Sequence, residues 1–155
     1  MINVLFVCLG NICRSPMAEA IFRQSVTQAG LSDQIHIDSA ATSHFNIGKA
    51  PHHGTQVILE RYAIPWSGQA RQVTVQDLQT YDYVVCMDDS NVTDTQAFGP
   101  LGEGTWLGKL SDLVADADWD FVPDPYYTGD FDETYEKVTV GCTALLNHIR
   151  QAHSL

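Results

Sequence analysis

The 155-residue chain has room for one domain around one core, and its 45% apolar content is that of an ordinary globular protein. Its net charge of −11 is uneven: residues 1–71 carry five basic and four acidic side chains, residues 72–155 three and fifteen. That balance argues against a nucleic-acid partner, which needs a basic patch, and no apolar run approaches the ~20 residues of a membrane span.

"INVLFVC" at 2–8 is a near-continuous apolar run, the pattern of a strand buried on both faces. It is short, lacks a basic flank and leads straight into a loop, so it does not read as a secretory leader. With four cysteines (Cys8, Cys13, Cys86 and Cys142) and no leader, a cytoplasmic protein with free thiols is expected. From Pro16 to Ala29 the period turns helical, with Ala18, Ile21, Phe22, Val26 and Ala29 along one side and Gly30 at the stop. "QIHIDSA" reads as a second strand and "HFNIGKAPHHG" as a loop. A helix is expected from about His53 to Tyr62, then a short helical piece over "VTVQDLQT" capped by Thr74. "YDYVVCM" is a third strand, "DDSNVTDTQAF" a helix, and "TWLGKL" a short fourth strand. "DADWDFVPDPYYTGD" reads as a loop, and residues 132–152 as the last helix. Strands alternating with helices predict one α/β domain over residues 1–155, a parallel sheet with helices on both faces.

In such a sheet ligands sit at the carboxyl ends of the strands, where Cys8 lies. Between Cys8 and Arg14 stand Leu9, Gly10, Asn11, Ile12 and Cys13, followed by Ser15 and a helix. A loop feeding a helix N-terminus points unpaired N–H groups inward at the positive end of the helix dipole, an anion cradle. Gly10 and Asn11 are the residue types that best tolerate left-handed backbone angles. Pro16 suits a first helical turn. Arg14 adds a planar fork that matches two phosphate oxygens. These positive groups favour the thiolate form of Cys8, a nucleophile aimed at a bound tetrahedral anion. Neither the G-x-x-x-x-G-K-[ST] nor the G-x-G-x-x-G phosphate loop is present. Farther on, Asp124 stands between Pro123 and Pro125, stiffened and biased to extended angles. Tyr126 and Tyr127 offer apolar walls that would help its carboxyl group keep a proton for a leaving group. Ser15 is placed to donate to the Cys8 sulfur and to cap the helix through its oxygen.

"VCLGNICRSPMAE" at 7–19, "ARQ" at 70–72, "CMDDSN" at 86–91 and "DPYY" at 124–127 resemble the low-molecular-weight protein tyrosine phosphatases in order and spacing. The resemblance spans essentially the whole chain. It implies a flavodoxin-like sheet of four parallel strands and a phosphomonoesterase without metal or other cofactor. Cys8 would be the nucleophile, Arg14 and the backbone of residues 9–14 the phosphate site, and Asp124 the general acid and then base. Asn11 and Ser39 would fix the loop by hydrogen bonds, and Phe45 would be a wall for the substrate ring or a loop residue packed on the core. Cys13 would be either a resolving thiol for an oxidised Cys8 or a space-filler beneath the loop. The implied partner is a phosphotyrosine-containing protein, a tyrosine kinase among the candidates, with phosphate and other oxyanions as competitive ligands. The chain would act as a monomer or weak homodimer.

Two departures from that family stand out. Ala41 occupies the place of a glycine after strand two, and Gly68 the place of a histidine that supports the loop asparagine. Support for the loop would then fall to Ser39 or to Gln69. His44, His52 and His53 read as surface residues, and Cys86 and Cys142 as core. A same-fold arsenate reductase would need further reactive cysteines outside predicted core elements. A phosphotyrosine-binding module could dispense with Cys8, Arg14 or Asp124, and all three are present.

Overall fold

The computed structural model describes residues 1–155. Four strands form one sheet: β1 (Ile2–Cys8), β2 (Ile35–Ala41), β3 (Tyr83–Cys86) and β4 (Trp106–Lys109). Their order is β2-β1-β3-β4, and every pair is parallel. The helices are α1 (Arg14–Gln28), α2 (His53–Arg61), α3 (Val75–Thr80), α4 (Asp89–Gln96), α5 (Pro125–Thr128) and α6 (Phe131–Ala152). The expected parallel α/β sheet is therefore present, and no helix is long and apolar enough to cross a membrane.

The continuous apolar run of β1 is explained by its place in the middle of the sheet. Val4, Leu5, Phe6 and Val7 are completely buried. Because side chains alternate along a strand, Val4, Phe6 and Cys8 face the larger core, with α1 and α6. Leu5 and Val7 face the smaller one, with Leu78, Val84 and Cys86. α1 buries Met17, Ala18, Ile21, Phe22 and Val26 at helical spacing. α6 buries Val138, Cys142, Leu145 and Ile149 in the same way. The chain leaves β1 toward β2 on one side and later crosses to β3 on the other. The carboxyl end of β1 is thus the switch point of the sheet, and Cys8 is its last residue.

The structure shifts several sequence-based boundaries. α1 begins at Arg14, two residues before Pro16, because the turn closes onto Cys13: the Met17 N–H donates to the Cys13 carbonyl. β3 is shorter than "YDYVVCM", since the Tyr81 N–H still serves α3 by donating to Asp77. Leu110, expected at the end of the fourth strand, instead opens a 3-10 turn over Leu110–Leu113, and the single-turn helix α5 lies in a stretch expected as loop. α5 is built from local chemistry: Asp124 accepts from the Tyr126 N–H, Pro125 takes the first position, and Gly129 closes it at φ +74°. Ala41 causes no disturbance, running on as the last residue of β2 and pairing with Cys8.

Phe22 is fully buried and meets Phe6 edge to face, ring centroids 5.5 Å apart, tying α1 to β1. Truncation Phe22→Ala is expected to cost about 3–5 kcal/mol of unfolding free energy, a large share of the ~5–15 kcal/mol typical of a domain. Urea unfolding curves of the two proteins measure it, and a loss below about 1 kcal/mol would show that the α1–β1 packing is not what holds the strand.

Candidate active site

The loop from Cys8 to Arg14 curls at Asn11, which takes the left-handed conformation at φ +56°. Gly10, expected to share that role, does not. A Cβ there would lie 2.7 Å from Nδ2 at the flexible end of Asn46 and in ordinary contact with Ile12. Four peptide carbonyls of the loop are held by donors outside it. Cys8 O accepts from Thr42 N (3.0 Å), and Leu9 O from Ser43 N (3.0 Å). Ile12 O accepts from His52 N (2.7 Å), and Cys13 O from Thr55 Oγ1 (3.0 Å). A trans peptide sets its N–H opposite its carbonyl, so in these four planes the N–H groups of Leu9, Gly10, Cys13 and Arg14 turn inward. The N–H groups of Leu9, Gly10, Ile12, Cys13 and Arg14 have no partner within the protein, and the Asn11 N–H donates to Cys8 Sγ at 3.3 Å.

Asn11 fixes the curl through its side chain. Its Nδ2 donates to Ser15 Oγ (2.7 Å) and Ser39 Oγ (2.9 Å), and its Oδ1 accepts from the Arg71 N–H (3.1 Å). Ser39 donates in turn to Glu19 Oε1 at 2.5 Å. Ser15 Oγ lies 3.0 Å from Cys8 Sγ. That oxygen accepts from Asn11, and its own proton is within reach of the sulfur, where it can serve a thiolate. Ser15 does not cap α1 as expected; it is the second residue of the helix and spends its oxygen on Asn11. Gln69 makes no hydrogen bond to Asn11, and a Cβ at Gly68, at φ +93°, would meet nothing within 4 Å. Support for Asn11 comes instead from Ser39, Ser15 and the Arg71 backbone.

Arg14 is almost fully buried. Nη1 donates to Asp88 Oδ2 (2.6 Å) and Val122 O (2.9 Å), and Nη2 makes a longer contact of 3.4 Å to Asp124 Oδ2. Nε is buried with no partner. Burial by itself disfavours the charge, but Cys8, Asp88 and Asp124 outweigh it and hold the guanidinium above its ordinary value. Nε, with no partner, and Nη2, with only the long contact to Asp124, form the less occupied edge of the fork, matched to two oxygens of an anion. Asp124 splits its carboxylate: Oδ1 accepts from Tyr126 N (3.0 Å), and Oδ2 faces Arg14.

Cys8, Leu9, Gly10, Ile12, Cys13, Phe45, Asn46, Asp124, Tyr126 and Tyr127 line one cavity of about 270 Å³. Phe45, Tyr126 and Tyr127 are mostly exposed, so they form a rim at its mouth and not a buried lid. Cys13 lines the cavity as a neutral thiol, pushed up to about 12, chiefly by burial. Cys86, pushed up to about 12, and Cys142, also raised, sit in the core as expected. His52 is not a plain surface residue: its Nδ1 accepts from Gly54 N (3.0 Å), and its ring stacks on Phe131. Asp88, Glu19, Thr55 and Arg71 were missed individually as members of the site. For Asp88, Glu19 and Arg71 the signal was there, inside the strings "CMDDSN", "MAE" and "ARQ". Thr55 stands in no such string. No group of three or more His, Cys, Asp or Glu side chains is placed to hold a metal ion.

With that geometry, the chain can be compared with known proteins. The profile of the family described as low molecular weight phosphotyrosine protein phosphatase matches residues 3–155. The low molecular weight protein-tyrosine-phosphatase YfkJ of Bacillus subtilis is 47% identical over 156 residues, covering 100% of both chains. Its crystal structure superposes with a TM-score of 0.94, covering 98% of this chain and 96% of the other. PtpA of Staphylococcus epidermidis is 45% identical over 149 residues, 96% of this chain and 94% of its own. A structure described as a Drosophila arginine phosphatase is 28% identical, with a TM-score of 0.87 and coverage of 95% and 97%.

The contrast among the cysteines is testable without any substrate. A thiol raised to about 12 has almost no thiolate at pH 7, so Cys13 and Cys86 are expected to resist alkylation there, and Cys142, raised and fully buried, likewise. Peptide mapping after limited iodoacetate treatment should find the adduct on Cys8. Preferential labelling of Cys13 at pH 7 would contradict the geometry.

Proposed function

This chain belongs to the low molecular weight protein-tyrosine-phosphatases, and from that premise we propose that it hydrolyses phosphotyrosine and other aryl phosphate monoesters through a cysteinyl-phosphate on Cys8. The observation that carries this reading is the ring of five unpartnered N–H groups and the less occupied Arg14 edge around the Cys8 sulfur. Three phosphoryl oxygens bound to that ring would set phosphorus against Sγ. The Ser15 hydroxyl, 3.0 Å from Sγ, would donate to the thiolate before attack and after release. The same N–H groups meet the charge that grows on the equatorial oxygens during transfer.

Attack expels a phenolate, which needs a proton. Asp124 stands on the far wall of the same cavity, its carboxylate oriented by the Tyr126 N–H and the Arg14 guanidinium. In this reading it first protonates the leaving oxygen and then takes a proton from the water that splits the thiophosphate. Phe45, Tyr126 and Tyr127 at the mouth give a tyrosyl ring apolar surface, and the longer aryl arm reaches Cys8 better than a seryl one. Inorganic phosphate and related oxyanions would compete for the cradle.

Cys13 shares the cavity with Cys8 and stays protonated, so it does not compete for phosphorus. After peroxide converts Cys8 to a sulfenic acid, attack by Cys13 would release water and form a reversible disulfide. All four cysteines are free thiols in the structure, in keeping with a cytoplasmic enzyme. We take it to act as a monomer or weak homodimer on phosphotyrosine-containing proteins, a tyrosine kinase among the candidates.

The test is turnover of aryl phosphate, phosphotyrosine, phosphoserine and phosphoarginine substrates by the pure protein with a chelator present. Aryl substrates are expected to be preferred; faster turnover of phosphoarginine or phosphoserine would overturn the substrate assignment. Asp124→Ala should then lose ~10²–10⁴-fold in kcat on phosphotyrosine, and much less on a substrate whose phenol is acidic enough to leave unaided. Equal losses on both would show that Asp124 only shapes α5.

A further inference from the structure

The cradle described above is aimed from outside, and its last two amides are aimed by α2. The carbonyl of Ile12 is held by the His52 N–H at 2.7 Å, which sets the Cys13 N–H inward. The carbonyl of Cys13 is held by Thr55 Oγ1 at 3.0 Å, which sets the Arg14 N–H inward. Thr55 is completely buried, and this carbonyl is the only hydrogen-bond partner of its hydroxyl. The one other donor to that carbonyl is the Met17 N–H at a long 3.4 Å. The helix end that carries these donors is itself fixed. His52 caps it through Nδ1 to the Gly54 N–H (3.0 Å), and its ring stacks on Phe131 at 5.1 Å.

We propose that the N-terminus of α2 is a clamp on the phosphate cradle and that Thr55 is a positioning residue for catalysis. Taking the loop as the phosphate site, as read above, the clamp does its work before substrate arrives. A peptide plane with one side free can tilt, and each tilt turns an N–H away from the oxygen it should meet. Thr55 prevents this at the plane shared with Arg14, so the backbone donor and the guanidinium of one residue stay aligned together. Preorganisation of this kind adds nothing to the contacts seen by substrate; it removes the cost of making them. Thr55 does not line the cavity that holds Cys8, and it stands in none of the strings that marked the site.

The variant Thr55→Val removes the hydroxyl and keeps the shape. Its kcat/KM on an aryl phosphate is expected to fall about tenfold, less than the ~10²–10³-fold for losing an oxyanion donor outright. The competitive inhibition constant of inorganic phosphate should rise several-fold. That constant does not depend on the fraction of active protein, so it separates misaimed donors from partial unfolding. Thr55→Ser, which restores the hydroxyl, should recover both parameters. His52→Ala, which frees the helix end without touching Thr55, should raise the phosphate constant in the same direction. The proposal is overturned by wild-type phosphate inhibition in both Thr55→Val and His52→Ala, or by failure of Thr55→Ser to recover it. Wild-type protein without aryl phosphatase activity would instead sink the reading of the loop itself, so the two failures are distinguishable.

Discussion

Everything in the site depends on one constraint: the peptide planes between Cys8 and Arg14 must present their N–H groups to the same point. A chain of L-residues does not do this unaided, since converging amides repel and the curl requires a left-handed residue. Asn11 supplies that residue at φ +56° and also supplies the side chain that holds it there. Glycine would adopt the angle as readily but would leave Ser15, Ser39 and the Arg71 N–H unbridged. The requirement for Asn at this position is therefore double, conformational and chemical. From it follow the places of Ser15 and Ser39 and the need for Arg71 to be held by Asp38 and Asp77.

The electrostatics are local for the same reason. A protein of net charge −11 is a poor attractor of phosphate at long range. Around Cys8 the balance reverses within a few ångströms, through fixed amide dipoles and one buried guanidinium. Asp88 and Asp124 do not undo this. With Cys8 they offset the burial that disfavours the Arg14 charge, and Asp88 takes up the Nη1 side while Nε is left without a partner. Cys13, a few residues from Cys8, is kept neutral by the burial that Arg14 only partly offsets.

Most of the fold was legible because its signals are periodic. The double-sided burial of β1 and the stripes on α1 and α6 are written at spacings of one or three to four residues, and a parallel sheet leaves few alternatives. Cys8, Arg14 and Asp124 were legible because strand ends, helix starts and proline-flanked acids are rare combinations. What was hidden depends on contacts across the chain. Thr55 reads as an ordinary helix residue until its hydroxyl is seen on the Cys13 carbonyl, and His52 as exposed until its ring is seen against Phe131. Ser15 reads as a cap, yet its oxygen is claimed by Asn11. The departure at Gly68 also resolves only in three dimensions, where the Arg71 backbone reaches Asn11 instead.

The central claim is that this geometry exists to form and break a bond between Cys8 sulfur and phosphorus. Its most direct measurement is acid quenching of the enzyme during steady turnover of an aryl phosphate, followed by mass mapping of the peptides. A phosphate adduct on Cys8, appearing with turnover and decaying once substrate is exhausted, is the predicted result. Turnover with no covalent phosphate at any time, or with phosphate on a residue other than Cys8, would contradict the account.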